Sequence, residues 1–442
     1  MAREAVPPLE IGSRRELFVD DALIECMEGA ALRLHQPIPA GVALAFDQPW
    51  EGPTSTYPTV FEDDGRFRLY YRGSPAAGTP AVTCVAESPD GVCWTRPRVG
   101  LYERAKWPLN NIVWVGEEAH NLAPFRDTNP QARAEERFKA LGGHPPRALG
   151  SPDGIHWHRL REEPLFAEGR FDSQNVAFWH PIDGLYVGYV RYWLEGRRWI
   201  ARIASEDFLH WSDPEPIDGA PDLPGDLYTS AAVSYPRAPH LLLAFPQRFL
   251  PERRVIADAP LPGLSDSVMM TSRDGKTFQW AFSEAFVRPG RDWQDWTDRC
   301  NMVAWGIAQT GHDELSLYVT RHYRHTTAHL QRCTLRLDGF GSIGALGTTG
   351  EVVTRPLRFT GRTLRLNYAT SAAGSVRVEI QNQDGVPLAN RALGDCAELV
   401  GDEMDGIVRW REGEDMGSLA GTTVRLCFSL CDADVYALRF GQ

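Results

Sequence analysis

Four copies of one seven-residue pattern set the strongest limit on how this chain can fold. They read Ser88-Pro-Asp-Gly-Val-Cys-Trp94, Ser151-Pro-Asp-Gly-Ile-His-Trp157, Ser205-Glu-Asp-Phe-Leu-His-Trp211 and Ser272-Arg-Asp-Gly-Lys-Thr-Phe278. Arg336-Leu-Asp-Gly339 is a weaker fifth echo, and successive starts are 63, 54, 67 and 64 residues apart. A repeat at this interval marks one supersecondary unit used several times, each burying its apolar face against its neighbours. Locally the pattern is a turn. Asp accepts hydrogen bonds from backbone N–H groups just ahead of it, Gly takes a positive φ, and the aromatic begins the next strand and packs back on the sheet.

Between the copies, short strands rich in β-branched and aromatic residues alternate with Gly, Pro, Asn and Asp turns, as in Tyr57-Pro-Thr-Val-Phe61 followed by Arg66-Phe-Arg-Leu-Tyr-Tyr71. Strand, turn, strand at this density is an all-β signal. Sustained helical periodicity is absent, apart from a short turn at Gln131–Glu136. Each unit parses as inner, second and third strands, the patterned turn, then an outer strand. This predicts a five-bladed β-propeller over 1–349, in which radial blades leave only short, protected edges. A strap at 1–44, with Glu16-Leu-Phe-Val-Asp-Asp21, helps close the ring. After Thr349 longer alternating strands appear, among them Thr363–Tyr368, Ser375–Ile380, Thr423–Leu430 and Val435–Phe440. Alternation means one buried face, so 350–442 reads as a C-terminal β-sandwich.

Composition narrows the partners. A hydrophobic content of 43% excludes a disordered chain, and a net charge of −12 argues against a nucleic-acid partner. No run approaches the roughly 18 apolar residues of a membrane span. The opening residues lack the apolar core of a leader peptide, which places the chain in the cytoplasm. Its eight cysteines form no Cys-x-x-Cys pair and read as reduced, structural thiols, with Cys427 in a buried strand. A carbohydrate is the partner that fits; oligomeric state stays open.

The chain resembles the bacterial five-bladed β-propeller glycosyl hydrolase-like proteins, relatives of glycoside hydrolase families 32 and 43. The resemblance runs over almost the full length and rests on Glu16–Asp21, Pro49-Trp-Glu-Gly52, Leu69-Tyr-Tyr-Arg-Gly73, His120-Asn-Leu-Ala-Pro-Phe125 and Asp127-Thr-Asn-Pro130. It continues through Phe171-Asp-Ser-Gln-Asn175, Ser272–Gly275, Glu284-Ala-Phe-Val-Arg-Pro-Gly290 and Gly361 to Leu438-Arg-Phe440. It implies three carboxylates from different blades acting as base or nucleophile, pKa modulator and acid. The usual first-blade Asp-Pro and third-blade Glu signatures are not evident here, so no role carries over directly.

In a propeller, residues just before each inner strand ring an axial funnel. Those positions offer Trp50, Glu51 and Tyr57; His120, Asn121 and Asp127; Asp172, Gln174 and Asn175; Asp226, Tyr228 and Thr229; and Asp298, Arg299 and Asn301. Each blade thus supplies a group able to hold a sugar hydroxyl, and Arg248 is a further candidate for hydroxyls or a carboxylate. Glycoside cleavage uses one protonated and one ionised carboxyl group. Asp172 leads, a carboxylate among amides at an inner-strand entrance, with a turn cap as its competing reading. Glu51, beside Pro49 and Trp50, could be raised towards an acid's pKa, or be a solvated loop residue. Asp127 resembles the second-blade Arg-Asp-Pro of family 32 with Thr-Asn inserted, or forms an Asx-turn. Asp226 follows Pro-Gly and either reacts or shapes a turn.

No transition metal or other cofactor is expected, with a structural calcium left open. His325-Thr-Thr-Ala-His329 lacks the helix and the intervening Glu of the zinc motif. The leading expectation is a glycoside hydrolase with a carboxylate acid/base pair in the funnel. The alternatives are a non-catalytic carbohydrate-binding propeller and a sialidase-like enzyme, which would need three arginines and a nucleophilic Tyr; the funnel positions supply only Arg299.

Overall fold

The structure, a computed structural model, describes residues 7–75, 79–102 and 107–442. The first six residues, which carry the reading of the N-terminus, lie outside the described residues. Regular structure is almost wholly β, the helices being single 3-10 turns of three or four residues. No helix among the described residues is long and apolar enough to cross a membrane. The chain forms many antiparallel sheets, an arrangement consistent with a propeller-like fold.

Contacts divide it into two compact units, residues 36–335 and residues 1–35 with 336–442. The repeat-based reading instead draws its line at 349/350 and gives the opening segment to the propeller. Strand pairing accounts for the difference: Ile24–Glu28 pairs with Gly350–Thr354, and Ala31–Leu34 with Gly341–Ala345. Glu16–Leu17 also differs from the expected ring-closing role, because it pairs with Arg425–Gly441 in that same unit.

In the unit 36–335, four strands make each of three successive sheets. The first comprises Thr56–Asp63, Arg66–Gly73, Val82–Ser88 and Ile112–Val115; the second Ala123–Arg126, Phe138–Gly143, Pro146–Ser151 and His158–Arg159; the third Val176–His180, Leu185–Leu194, Arg197–Ser205 and Glu215–Pro216. The fourth has Val233–Tyr235, Ala238–Ala244 and Met270–Ser272, between whose last two strands a ribbon of Gln247–Leu250 and Leu264–Ser267 is inserted. The fifth holds Met302–Val303, Glu314–Arg321 and His329–Arg336, and its outer strand is Ile38–Ala45 from the start of the unit. Second strands such as Arg66–Gly73 and Leu185–Leu194 become buried on both faces along their length, which requires cover from neighbouring sheets.

The patterned turns form as the residues dictate. In each copy the Ser hydroxyl accepts the N–H three residues on (Gly91, Gly154, Phe208, Gly275), at 2.8–2.9 Å. The Asp carboxylate takes the next two N–H groups at 2.7–2.8 Å. The residue after Asp lies at φ +70°, +76°, +68° and +72°, so Phe208 adopts the left-handed conformation that Gly takes elsewhere. These turns also join sheets. The Tyr70 hydroxyl of the first sheet donates to the Gly154 carbonyl of the second at 2.8 Å, and Tyr189 of the third to Gly275 of the fourth at 2.9 Å. Tyr318 of the fifth donates likewise to Gly91 of the first. The Arg336–Gly339 echo is a different turn, with Asp338 at φ +61°.

The other unit is built on two long strands, Thr363–Gln381 and Arg425–Gly441, paired along most of their length in an eight-stranded sheet. The four segments read from sequence merge pairwise into these two, with an irregularity between Thr370 and Ser375. Their apolar face packs Leu364, Leu366, Val376, Val378, Leu426 and Phe428 into one core. Cys427 is buried and all eight cysteines are free thiols.

Candidate functional site

The polar residues that precede the first strand of each sheet meet one another. Tyr57 begins the first sheet, His120 and Asn121 precede the second, Asp172–Asn175 the third, Tyr228–Ser230 the fourth and Arg299–Asn301 the fifth. Antiparallel pairing brings the far end of each second strand to the same level. Arg72 lies opposite Thr56, and Arg191 lies just past the pairing of Val176 with Tyr189. The Asn175 side chain fixes that end of the strand by accepting the Arg191 N–H at 2.9 Å.

At the centre stand two phenols. The hydroxyls of Tyr57 and Tyr228 are 3.3 Å apart, and both side chains are buried. The Arg72 guanidinium lies 4.9 Å from the Tyr57 ring, and those of Arg191 and Arg299 lie 4.3 Å and 5.3 Å from the Tyr228 ring. Burial pushes Tyr57 well above the ordinary phenol range, helped by its neighbour Tyr228. Burial also acts to raise Tyr228, but the Arg299 and Arg191 charges and the hydrogen bond with Tyr57 outweigh it, so Tyr228 is the more acidic of the two. Tyr57, Arg299 and Asn301 sit at φ +54°, +63° and +66°. Non-glycine residues in this region cost of order 1–3 kcal/mol each and collect at functional sites.

Beside the phenols, His120 Nε2 meets Asp172 Oδ1 at 3.0 Å, with 43% and 57% of the two side chains exposed. His120 also approaches Arg72 Nη1 at 3.4 Å and packs its ring 6.0 Å from that of Tyr57. The hydrogen bond from His120 holds the Asp172 carboxyl well below the usual range against the opposing effect of burial, and Arg191 and His144 add to it. Asp172 is therefore ionised, open and adjacent to the phenol pair.

The other carboxylates proposed from sequence are held elsewhere. Glu51 is wholly buried in a two-pronged ion pair, Oε1 to Arg96 Nε and Oε2 to Arg96 Nη2, both at 2.8 Å, and it also accepts the Tyr71 hydroxyl. Asp127 lies just past the opposite end of Ala123–Arg126 from His120. Its carboxylate accepts Lys139 Nζ at 2.5 Å and the Tyr186 hydroxyl at 2.7 Å. That end of the first strands opens into a cavity of about 590 Å³ lined by Phe125, Phe178, Val233 and Trp305, an apolar counterpart to the polar end. Asp226 is paired with Arg198 Nη1 at 2.6 Å, and Asp298 with Arg324 Nε at 2.9 Å.

The expected substrate amides are each bonded to backbone groups. Asn121 donates to the Ser173 carbonyl and accepts Gly143 N–H at 2.7 Å; Gln174 donates to the carbonyls of Tyr57 and Pro58 at 3.1 and 3.2 Å. Asn175 donates to the Phe171 carbonyl at 2.9 Å, and Asn301 to that of Ser265 at 2.8 Å. Converging loops bury many carbonyls without a ladder partner, and side-chain amides satisfy them. Trp50 donates to Asn111 at 2.8 Å, Thr229 accepts the Gln247 N–H at 3.3 Å, and Arg248 is locked on Asp266 at 2.8 and 2.6 Å.

Arg72 and Arg191 are absent from the sequence-derived set, yet a signal exists. Each is a buried cation that follows an apolar stretch of a second strand, Leu69-Tyr-Tyr before Arg72 and Tyr189-Val before Arg191, where a charge stands out among apolar neighbours. Among the described residues no three His, Cys, Asp or Glu side chains are grouped to hold a metal ion. In the histidine cluster, His322 instead bridges Asp292 and Thr327 at 3.0 Å each.

No family model and no curated protein matches the chain. Among solved structures, an N-acetylgalactosamine deacetylase from F. plautii in complex with blood group B trisaccharide aligns at TM-score 0.48 and 13% identity, over 71% of this chain and 97% of that one. A β-1,2-mannobiose phosphorylase from Listeria innocua, in complex with β-1,2-mannobiose, aligns at TM-score 0.45 and 12% identity, over 68% and 98%. A structure described as a glycoside hydrolase aligns at TM-score 0.47 and 11% identity, over 68% and 92%.

Proposed function

We propose that the chain is a carbohydrate-active enzyme that cleaves glycosidic bonds, and that the five sheets of 36–335 are the blades of a propeller whose polar end is the active site. In this reading the other unit is a β-sandwich accessory domain, the fold is akin to that of families 32 and 43, and no cofactor is required. One observation carries the reading: four sheets deliver an ionised, open Asp172, its partner His120 and the phenol pair Tyr57–Tyr228 to one place.

The roles follow from ionisation. Asp172, held below the usual carboxylate range, is a base or nucleophile and not the proton donor. Since Glu51, Asp127 and Asp226 are engaged in ion pairs, a second carboxylate is not the partner. The proton for the leaving oxygen is assigned to the phenol pair, where Tyr228 is more acidic than a free tyrosine. The test is a screen of aryl glycosides against wild type and Asp172→Asn. Turnover by the wild type that falls about 10³-fold in the variant, as expected for loss of an acid–base or nucleophilic group, supports the assignment; undiminished turnover removes it.

A non-catalytic carbohydrate-binding propeller is the second reading, favoured by the engagement of three of the four proposed carboxylates in ion pairs. It predicts glycan binding with no turnover of any glycoside.

A further inference from the structure

The phenol pair sits in an excess of positive charge that the protein neutralises only in part. Arg72 and Arg191 are only 8% and 7% exposed, yet neither has an ion-pair partner among the described residues. Arg72 Nη2 donates to the Thr54 carbonyl at 2.7 Å and the Tyr323 hydroxyl at 3.3 Å; Arg191 Nη2 donates to the Tyr228 carbonyl at 3.0 Å. The Nε of each is buried with no hydrogen-bond partner. Among the described residues Arg299, the third cation, is ion-paired only with Asp298, at 3.6 Å, and that carboxylate is already bonded to Arg324 at 2.9 and 3.2 Å. Asp172, ionised and hydrogen-bonded to His120, offsets one of these three charges and leaves the other two.

A cation buried without a counter-charge loses its hydration and gains no attraction in return, so it is strongly disfavoured. Two such arginines around one phenol pair persist where a ligand supplies the missing negative charge. The excess is local: the whole chain carries −12, so no general basic surface accounts for it. The lowered Tyr228 reports the same field. The Asn175 bond to the Arg191 backbone and the left-handed backbone of Arg299 hold two of these side chains in place, as an oriented anion site requires.

We infer that the sugar taken by this site carries a carboxylate, as in a uronic acid, and that Arg191 and Arg299, backed by Arg72, hold it beside Tyr228. This rests on the glycan reading above. A planar carboxylate suits guanidinium groups, which donate in a fixed fork. Free phosphate shares the oxyanion chemistry, and the test separates the two.

The full chain is titrated by calorimetry with methyl β-D-glucuronoside, methyl β-D-glucoside, methyl α-D-galacturonoside, methyl α-D-galactoside and inorganic phosphate. At least one acid sugar should bind tenfold or more tightly than its neutral counterpart. Binding should weaken with salt, fall at least tenfold in Arg191→Met and recover in part in Arg191→Lys. Thermal protection of the wild type by the same compounds needs no variant and should favour the acid sugar in the same order. Equal affinity for acid and neutral sugars overturns the carboxylate assignment and leaves the glycan reading standing. Phosphate binding with the same arginine dependence, without uronoside binding, also overturns it. If no sugar of either class binds or protects, the glycan reading itself fails, and this inference with it.

Discussion

Replacing Glu51 by Gln separates a reacting carboxylate from a structural one. In the folded chain its two oxygens receive Arg96 at 2.8 Å twice, the Gln48 N–H at 3.1 Å and the Tyr71 hydroxyl. Gln keeps one acceptor oxygen, but its amide N–H groups then face the donors of Arg96. Removing one partner of a buried pair costs about 3–5 kcal/mol. Arg96 is 22% exposed, so water can solvate part of its freed charge, which puts the loss near the lower limit, about 3 kcal/mol. At about 1.6 °C per kcal/mol for a unit of about 300 residues, the melting temperature should fall by about 5 °C. Urea unfolding of wild type, Glu51→Gln, Arg96→Met and the double variant measures the loss and the coupling, expected to be about 2–3 kcal/mol for a contacting pair. Below the unfolding transition, folded Glu51→Gln should turn over any accepted glycoside within a few-fold of wild type. A variant as stable as wild type that loses turnover by orders of magnitude would falsify the structural assignment and return Glu51 to the chemistry.

Two further substitutions probe the frame around the site. A Cβ at Gly306 would lie 1.9 Å from the Val60 carbonyl oxygen at a backbone φ of +113°, so Gly306→Ala should cost about 3 kcal/mol or more in urea unfolding; a change within about 0.5 kcal/mol contradicts the close approach of these strands. At Asp153, burial acts to raise the carboxyl, but the His156 N–H and ring and the Ile155 N–H outweigh it and hold it at about 2. The folded value lies below the unfolded one of about 3.9, so the stabilisation is full above about pH 4 and is lost as pH falls towards 2. Asp153→Ala should therefore lose about 1 kcal/mol at pH 7, after allowance for the screening of a half-exposed carboxylate, and less at pH 3; a loss independent of pH refutes the charge's part in the turn.

The turns were readable because their chemistry is local. Ser, Asp and the N–H groups that donate to them lie within six residues, so any copy announces its own geometry. Even Phe208, lacking the expected Gly, follows because the two side-chain anchors survive. Tyr57, His120, Asp172, Tyr228 and Arg299 were reachable for a related reason: they lie at the start of, or a few residues before, strands that the turns locate. Arg72 and Arg191 leave a fainter signal, a cation after an apolar stretch, since their place depends on antiparallel register with a strand some 15 residues distant. Glu51 misled because its partner, Arg96, is 45 residues on, and only the folded chain shows the charge already claimed. The amides misled for the opposite reason. Asn121, Gln174 and Asn175 look like sugar-binding groups, while their demand comes from backbone carbonyls stranded where loops converge.

The outer strand of the last sheet has a consequence in time. Ala45 pairs with His329, so the first strand of the unit to leave the ribosome waits for almost the last before it has a neighbour. Through most of synthesis Ile38–Ala45 is a bare edge, and the intervening sheets form without the seam that closes them. Completion of the last sheet should thus come late, limited by the meeting of the two ends rather than by any earlier sheet. The Tyr318 bond to Gly91 forms at that moment too, placing the last patterned turn contact on the first patterned turn.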